Sequence, residues 1–156
     1  MKKNLFKILL AGASFGIAVS VFGAALTDDR DTQGRSGVLV SLTQGTNVIY
    51  AGALVAVDGQ GLAQPAADTA GFTVVGRAER KSDNSTFVAS TLVEVRRGTF
   101  KYATTNTVTD ASIGAVVYCV DDQTVTTGGV VSQSNVVGRL VDTDSDGVWV
   151  DTTERN

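Results

Sequence analysis

The stretch Thr91-Leu92-Val93-Glu94-Val95-Arg96-Arg97 decides the fold class. Leu92, Glu94 and Arg96 oppose Val93, Val95 and Arg97, which is the two-residue period of a strand with one buried and one wet face. A second run, Ala115-Val116-Val117-Tyr118-Cys119-Val120, is apolar on both faces and reads as a central strand. Outward from these two, no long stretch after residue 25 repeats apolar residues at helical spacing. Short apolar runs are instead separated by Gly, Asp, Asn, Ser and Thr, which predicts strands at Val38–Leu42, Thr46–Tyr50, Ala53–Val57, Thr73–Glu79 and Thr99–Tyr102. Others are expected at Thr124–Thr127, Val136–Asp142 and Val148–Asp151. One helical turn is expected at Thr109–Ile113, capped by Thr109 or Asp110.

Composition agrees with this pattern. The 156 residues contain 24 Val and 19 Thr against 10 Leu, and β-branched side chains suit a pleated sheet. The expected fold is therefore all-β, a small antiparallel β-barrel or sandwich. Asp58-Gly59 and Asp146-Gly147 read as hairpin turns in which Gly takes a positive φ. Pro65, the only proline, is expected in a loop of small residues.

Residues 1–25 differ from the rest. Lys2, Lys3 and Lys7 precede an apolar run from Ile8 to Phe22, and Gly23, Ala24 and Ala25 follow. This is the layout of a secretory signal peptide, with cleavage expected after Gly23 or Ala25. The other reading is an N-terminal helix that packs on a partner or a membrane surface. Residues 1–24 are thus read as a leader or helical arm, 25–37 as a flexible polar arm, and 38–156 as the β domain. Without Lys2, Lys3 and Lys7, the 13 basic residues become 10 against 16 acids, and the formal charge moves from −3 to −6.

The chain also echoes itself. Gly52-Ala53-Leu54-Val55 is followed by Val74-Val75-Gly76-Arg77, and Gly114-Ala115-Val116-Val117 by Val136-Val137-Gly138-Arg139. Gly52 to Gly76 and Gly114 to Gly138 are both 24 residues, and the copies are 62 apart. Each copy has an Asp-containing turn after its first strand, at Asp58-Gly59 and Asp121-Asp122. This predicts two related strand–turn–strand–loop–strand units within one barrel or sandwich.

The composition removes several chemistries. The absence of histidine excludes Ser–His–Asp triads and His-ligated metals. A single cysteine excludes an internal disulfide and a Cys-rich zinc site. Cys119 reads as a small buried hydrophobe, and Trp149 as a core or interface anchor. Asp142, Asp144 and Asp146, with Gly147, match the opening of a calcium loop, but Thr153 stands where that loop needs a bidentate Glu. The alternatives there are a calcium site or a solvated acidic hairpin. Arg77, Arg80 and Lys81 form one basic group, and Arg96, Arg97 and Lys101 another. Either they face an acidic partner or they are charged strand edges that block unwanted pairing. No basic excess favours nucleic acid. No catalytic residue, cofactor or metal site is assigned.

Several segments in order carry a family resemblance. They are Ala25-Leu26-Thr27-Asp28-Asp29-Arg30-Asp31-Thr32, Ala51–Asp58, Val75–Glu79, Val95–Phe100, Ile113–Gln123, Val137–Val141 and Asp146–Asp151. In this order the body resembles the capsid cement or decoration proteins of tailed phages. The resemblance implies a compact β domain on the capsid exterior, commonly trimeric, that ties the major capsid protein lattice together without enzymatic activity or cofactor. It also implies that residues 25–37 become ordered on the lattice. Members of that family begin near the position of Ala25. The preceding 24 residues are then a misplaced start, an assembly arm, or the export signal of a periplasmic or surface β-domain binding module.

Overall fold

The structure, a computed structural model, describes residues 38–88, 91–128 and 131–154. The expected leader at 1–24 and polar arm at 25–37 lie outside the described residues. In chain order the strands are β1 (Leu39–Thr43), β2 (Val48–Ile49), β3 (Leu54–Val57), β4 (Ala63–Pro65), β5 (Thr73–Ala78) and β6 (Ser82–Asp83). They continue as β7 (Leu92–Arg96), β8 (Thr99–Thr104), β9 (Val116–Cys119), β10 (Thr124–Thr126), β11 (Val136–Asp144) and β12 (Gly147–Asp151). The all-β class is therefore what forms, and among the described residues there is no α-helix.

Ten strands divide into two circuits, and β2 and β6 pair separately. One is a five-stranded sheet in the order β1-β7-β5-β3-β4, and the other is a closed barrel, β10-β8-β12-β11-β9. The two echoing units each form their own circuit instead of sharing one. Their registers coincide. Val55 pairs with Gly76 and Ala56 with Val74, leaving Val75 as a bulge. Sixty-two positions later Val117 pairs with Gly138 and Tyr118 with Val136, leaving Val137 as a bulge. Gly52 and Gly114 hold φ of +86° and +87° at matching turns. An added Cβ would meet the Arg96 carbonyl oxygen at 2.4 Å from Gly76 and the Asp151 carbonyl oxygen at 1.9 Å from Gly138. Only glycine lets the bulged strand lie that close to its neighbour.

Closure separates the units. β8 and β10 pair in parallel through Thr124 with Ala103 and Val125 with Thr104, so the barrel is not wholly antiparallel as expected. The corresponding seam between β1 and β4 is reduced to one parallel bridge, Gln44 with Ala63. Amide side chains reinforce that seam: Gln44 Nε2 donates to the Asn47 carbonyl oxygen at 2.9 Å, and Asn47 Nδ2 to Gln64 Oε1 at 2.6 Å. Beside the barrel seam, Asn106 accepts from Thr104 and Thr126.

Two apolar clusters result. Ile49, Val55, Val75, Ala78, Val93 and Val95 fill the first circuit. Tyr102, Val117, Cys119, Val125, Val137, Leu140, Val148 and Val150 fill the barrel, and Leu54, Ala56 and Val74 of the first unit join them. The first sheet is thus buried on both faces, Val55 and Val75 inward and Leu54, Ala56 and Val74 toward the barrel's core.

Some sequence readings change. Pro65 is in a strand, β4, at the sheet edge, where its missing N–H costs no ladder bond. The positive φ of the Asp58 turn belongs to Gly61 (+81°), and Gly59 is not in that region. Gly147 is required by contact instead: a Cβ there would lie 2.6 Å from the Tyr102 carbonyl oxygen. The expected helical turn is a 3-10 turn at Asp110–Ser112, and Thr109 sits at its cap without a side-chain cap bond.

Candidate interaction surface

The arginines and lysines read as two basic groups are mostly neutralised. β5 and β7 put Arg77 opposite Arg96. Two like charges so paired need a counter-ion, and Glu79 supplies it at 2.5 Å from Arg77 Nη2 and 2.9 Å from Arg96 Nε. The Arg77 hydrogen bond, then that of Arg96, holds the Glu79 carboxyl below its ordinary value. Arg80 pairs with Glu94. The Arg77 guanidinium also lies 4.2 Å from the centroid of Phe100, joining the two units. Lys81 lies over the Tyr50 ring at 5.3 Å. Four of the six basic side chains read as clusters, Arg77, Arg80, Arg96 and Lys101, are therefore held in local ion pairs.

The acidic motif takes a hairpin form. Asp142 and Asp144 are on β11, and Asp146 is in the turn to β12. Asp144 Oδ2 lies 2.8 Å from Lys101 Nζ and accepts from Trp149 Nε1 at 2.8 Å, and Lys101 also pairs with Asp146. The Lys101 hydrogen bond, followed by that of Trp149, keeps the Asp144 carboxyl below its ordinary value. Two of the three carboxylates thus converge on a protein cation. Asp142 accepts from the Thr143 backbone N–H at 2.8 Å. Among the described residues no group of three or more ligating side chains gathers. Trp149 is a part-exposed member of the hairpin's outer face instead of a core anchor, because it pairs with Lys101 across β12 and β8.

Cys119 is fully buried in the barrel, and its Sγ lies 3.3 Å from the Asp121 carbonyl oxygen. Burial, with Asp121 adding to it, pushes the thiol up to about 12, so it is neutral at physiological pH.

The exposed features are a cleft and apolar side chains. The cleft, of about 540 Å³, is lined by Tyr50, Ala51, Gly52, Ala53, Asp122 and Gln123. It lies where the Leu54 N–H of β3 donates to the Asp122 carbonyl oxygen of the β9–β10 turn at 2.7 Å. Elsewhere a loop displays Phe87 and Val88, 56% and 57% exposed, beside Leu92 at 57%. Buried Asn84 holds that loop: its Nδ2 donates to the Gln44 and Gly45 carbonyl oxygens, and its Oδ1 accepts from the Val88 N–H and the Thr91 hydroxyl. Phe87 has a φ of 53°, which is unusual for a bulky residue. Sequence reading missed this loop, since residues 84–88 carry no strand or turn motif that announces a presented apolar pair.

No family model matches this chain, and no curated protein or solved structure matches it either.

Proposed function

We propose that this chain is a structural, non-enzymatic virion protein that binds the outside of a phage capsid and stabilises the head. One observation carries the reading: the motifs that resemble capsid cement proteins recur in the same order along nearly all of residues 25–156. A doubled β body with short loops is compatible with that work. It offers a rigid surface whose contacts are not diluted by ordering entropy, and many weak contacts to a repeating lattice add by avidity. The partners on this reading are the major capsid protein lattice and further copies of the chain, with the homotrimer as the expected assembly.

Mixing the full chain with undecorated capsids tests it. Saturable binding and a rise in the capsids' heat or chelator resistance are expected. Binding that never saturates, or capsids no more resistant than before, would sink the reading.

The signal-like residues 1–25 favour a second reading, an exported β-domain that serves as a periplasmic or surface binding module. It expects a mature N-terminus just after Gly23 or Ala25 and recovery from the periplasm or medium. A product beginning at Met1 inside purified virions rejects it.

A further inference from the structure

The cleft of about 540 Å³ has the size of a small-molecule pocket. Its walls are two turns. Tyr50 to Ala53 lead from β2 into β3, and Asp122 and Gln123 lie between β9 and β10. Backbone bonds hold both turns in place. The Gly52 N–H donates to the Ala78 carbonyl oxygen at 2.9 Å, and the Ala53 N–H to that of Tyr50 at 3.2 Å. Asp121 Oδ1 accepts from the backbone N–H of Gln123 at 2.9 Å and of Thr124 at 2.8 Å. The Leu54 N–H, bonded to the Asp122 carbonyl oxygen, ties one turn to the other. Gly52, at φ +86°, has open space where a side chain would stand, unlike the close-packed Gly76 and Gly138. The cleft is thus preformed, and a ligand does not have to order it.

The polar side chains around it are unspent. Among the described residues the Asp122 carboxylate has no ion pair and bonds only its own backbone. The Gln123 amide and the Tyr50 hydroxyl have no hydrogen-bond partner there either. No basic side chain lines the cleft. Burial, followed by the Asp121 charge, holds the Asp122 carboxyl above its ordinary value, and no cation offsets them. A part-buried carboxylate without a counter-ion gains from a cation that enters beside it. The Tyr50 ring, 59% exposed, already attracts one, since Lys81 Nζ lies 5.3 Å from its centroid.

The acceptors decide the kind of cation. Quaternary ammonium ions are held by cages of aromatic rings, and this cleft has a single ring. A hard metal ion takes more oxygen ligands than one carboxylate and an amide supply, and no group of three ligating side chains gathers among the described residues. A primary ammonium instead carries several N–H donors, which Asp122 and Gln123 can accept. We propose that the cleft binds a small aliphatic amine in its protonated form, with Asp122 as the charge partner, Gln123 as a further acceptor and the Tyr50 ring against the ammonium. Such a site goes beyond the proposed function and needs neither the capsid nor the export reading.

Calorimetric titration of the full chain with cadaverine at constant ionic strength tests it. Saturable binding is expected, with none for butanol and weaker binding for tetramethylammonium. Asp122→Asn should weaken cadaverine binding about ten-fold or more, because a charged hydrogen bond is lost. Gln123→Ala should weaken it less, and both variants should keep the wild-type far-UV circular dichroism. Lys81→Gln, which frees the Tyr50 ring of its resident cation, should tighten it. Asp146→Asn, on the β11–β12 hairpin outside the cleft, should leave it unchanged. Absence of saturable cadaverine binding overturns the proposal. So does binding that Asp122→Asn leaves intact, or tetramethylammonium bound as tightly as cadaverine. Where Asp122→Asn fails to fold, unchanged affinity in Gln123→Ala overturns it instead. Capsid binding, measured without amine, bears on the proposed function alone.

Discussion

The first unit, 39–96, and the second, 99–151, run the chain through the same circuit with different results. Both place a bulge one residue before a glycine, and both press that glycine against the last strand of the unit. They differ at the seam and on the outer face. The second unit closes with two parallel pairs between β8 and β10, whereas the first has a single bridge backed by buried Gln44 and its amide partners. The first unit's outer face is buried and the second's is part-exposed. The two units therefore share backbone path and register more strictly than side-chain burial. Backbone geometry is set by contacts inside each unit, but burial of the outer face depends on what lies beyond it.

The largest expected effect is at the two close-packed glycines. Gly138→Ala should destabilise by about 3 kcal/mol or more, because the neighbouring strand must move away from the new methyl. Gly76→Ala should cost less, its clash being milder at 2.4 Å against 1.9 Å. Urea titration of both would break the comparison if Gly76→Ala proved the costlier.

Next come the outer faces. Leu54→Ala removes a fully buried side chain and should cost about 2–5 kcal/mol. The matching Val116→Ala should cost less than about 1 kcal/mol, because the truncated atoms are already partly in water. Equal losses would mean that the second face is covered within the chain.

A smaller effect is expected at the residue that most plainly separates the two cores. Cys119 stands 62 positions after Val57, so Cys119→Val imports the first unit's side chain. A similar small hydrophobe should shift stability by under about 1.5 kcal/mol. In the wild type the buried neutral thiol should resist alkylation near pH 8 until denaturant is added, rapid labelling of the native chain being the contrary result.

The least effect concerns the hairpin that the first unit lacks. The folded Asp144 carboxyl titrates below its unfolded value, because Lys101 and Trp149 hydrogen-bond its charged form. Its contribution is present above the unfolded pKa and is lost as pH falls through the folded one. Acid titration should therefore change Trp149 fluorescence below the ordinary carboxylate range, before the far-UV circular dichroism changes. Asp144→Asn should abolish that step, and its persistence in the variant would assign it to another group.

Much of the body is legible in the sequence. Period-two alternation at Thr91–Arg97 foretold one buried and one wet face, and Val93 and Val95 are on the buried one while Leu92 is exposed. Each strand expected from an apolar run has an observed strand within it or overlapping it. β4 and β6 were missed for plain reasons. β4 contains Pro65, which argues against a strand unless it lies at an edge, and β6 is the polar pair Ser82-Asp83, paired with β2. The candidate surface was less legible. The Arg clusters looked cationic because Glu79 and Glu94 reach them only through the strand register. The run at 115–120 looked covered on both faces, yet only Val117 and Cys119 are buried within it.

The sequence by itself determined the β class, the two-unit repeat with its 62-residue offset and the absence of histidine chemistry, for these depend on residue type and local period alone. Only the tertiary structure decided that the units form separate circuits, that Lys101 closes the acidic hairpin and that one of two matching faces is buried while the other is part-exposed. Those outcomes depend on which distant residues meet, and a strand's periodicity names the face to be buried without naming what buries it.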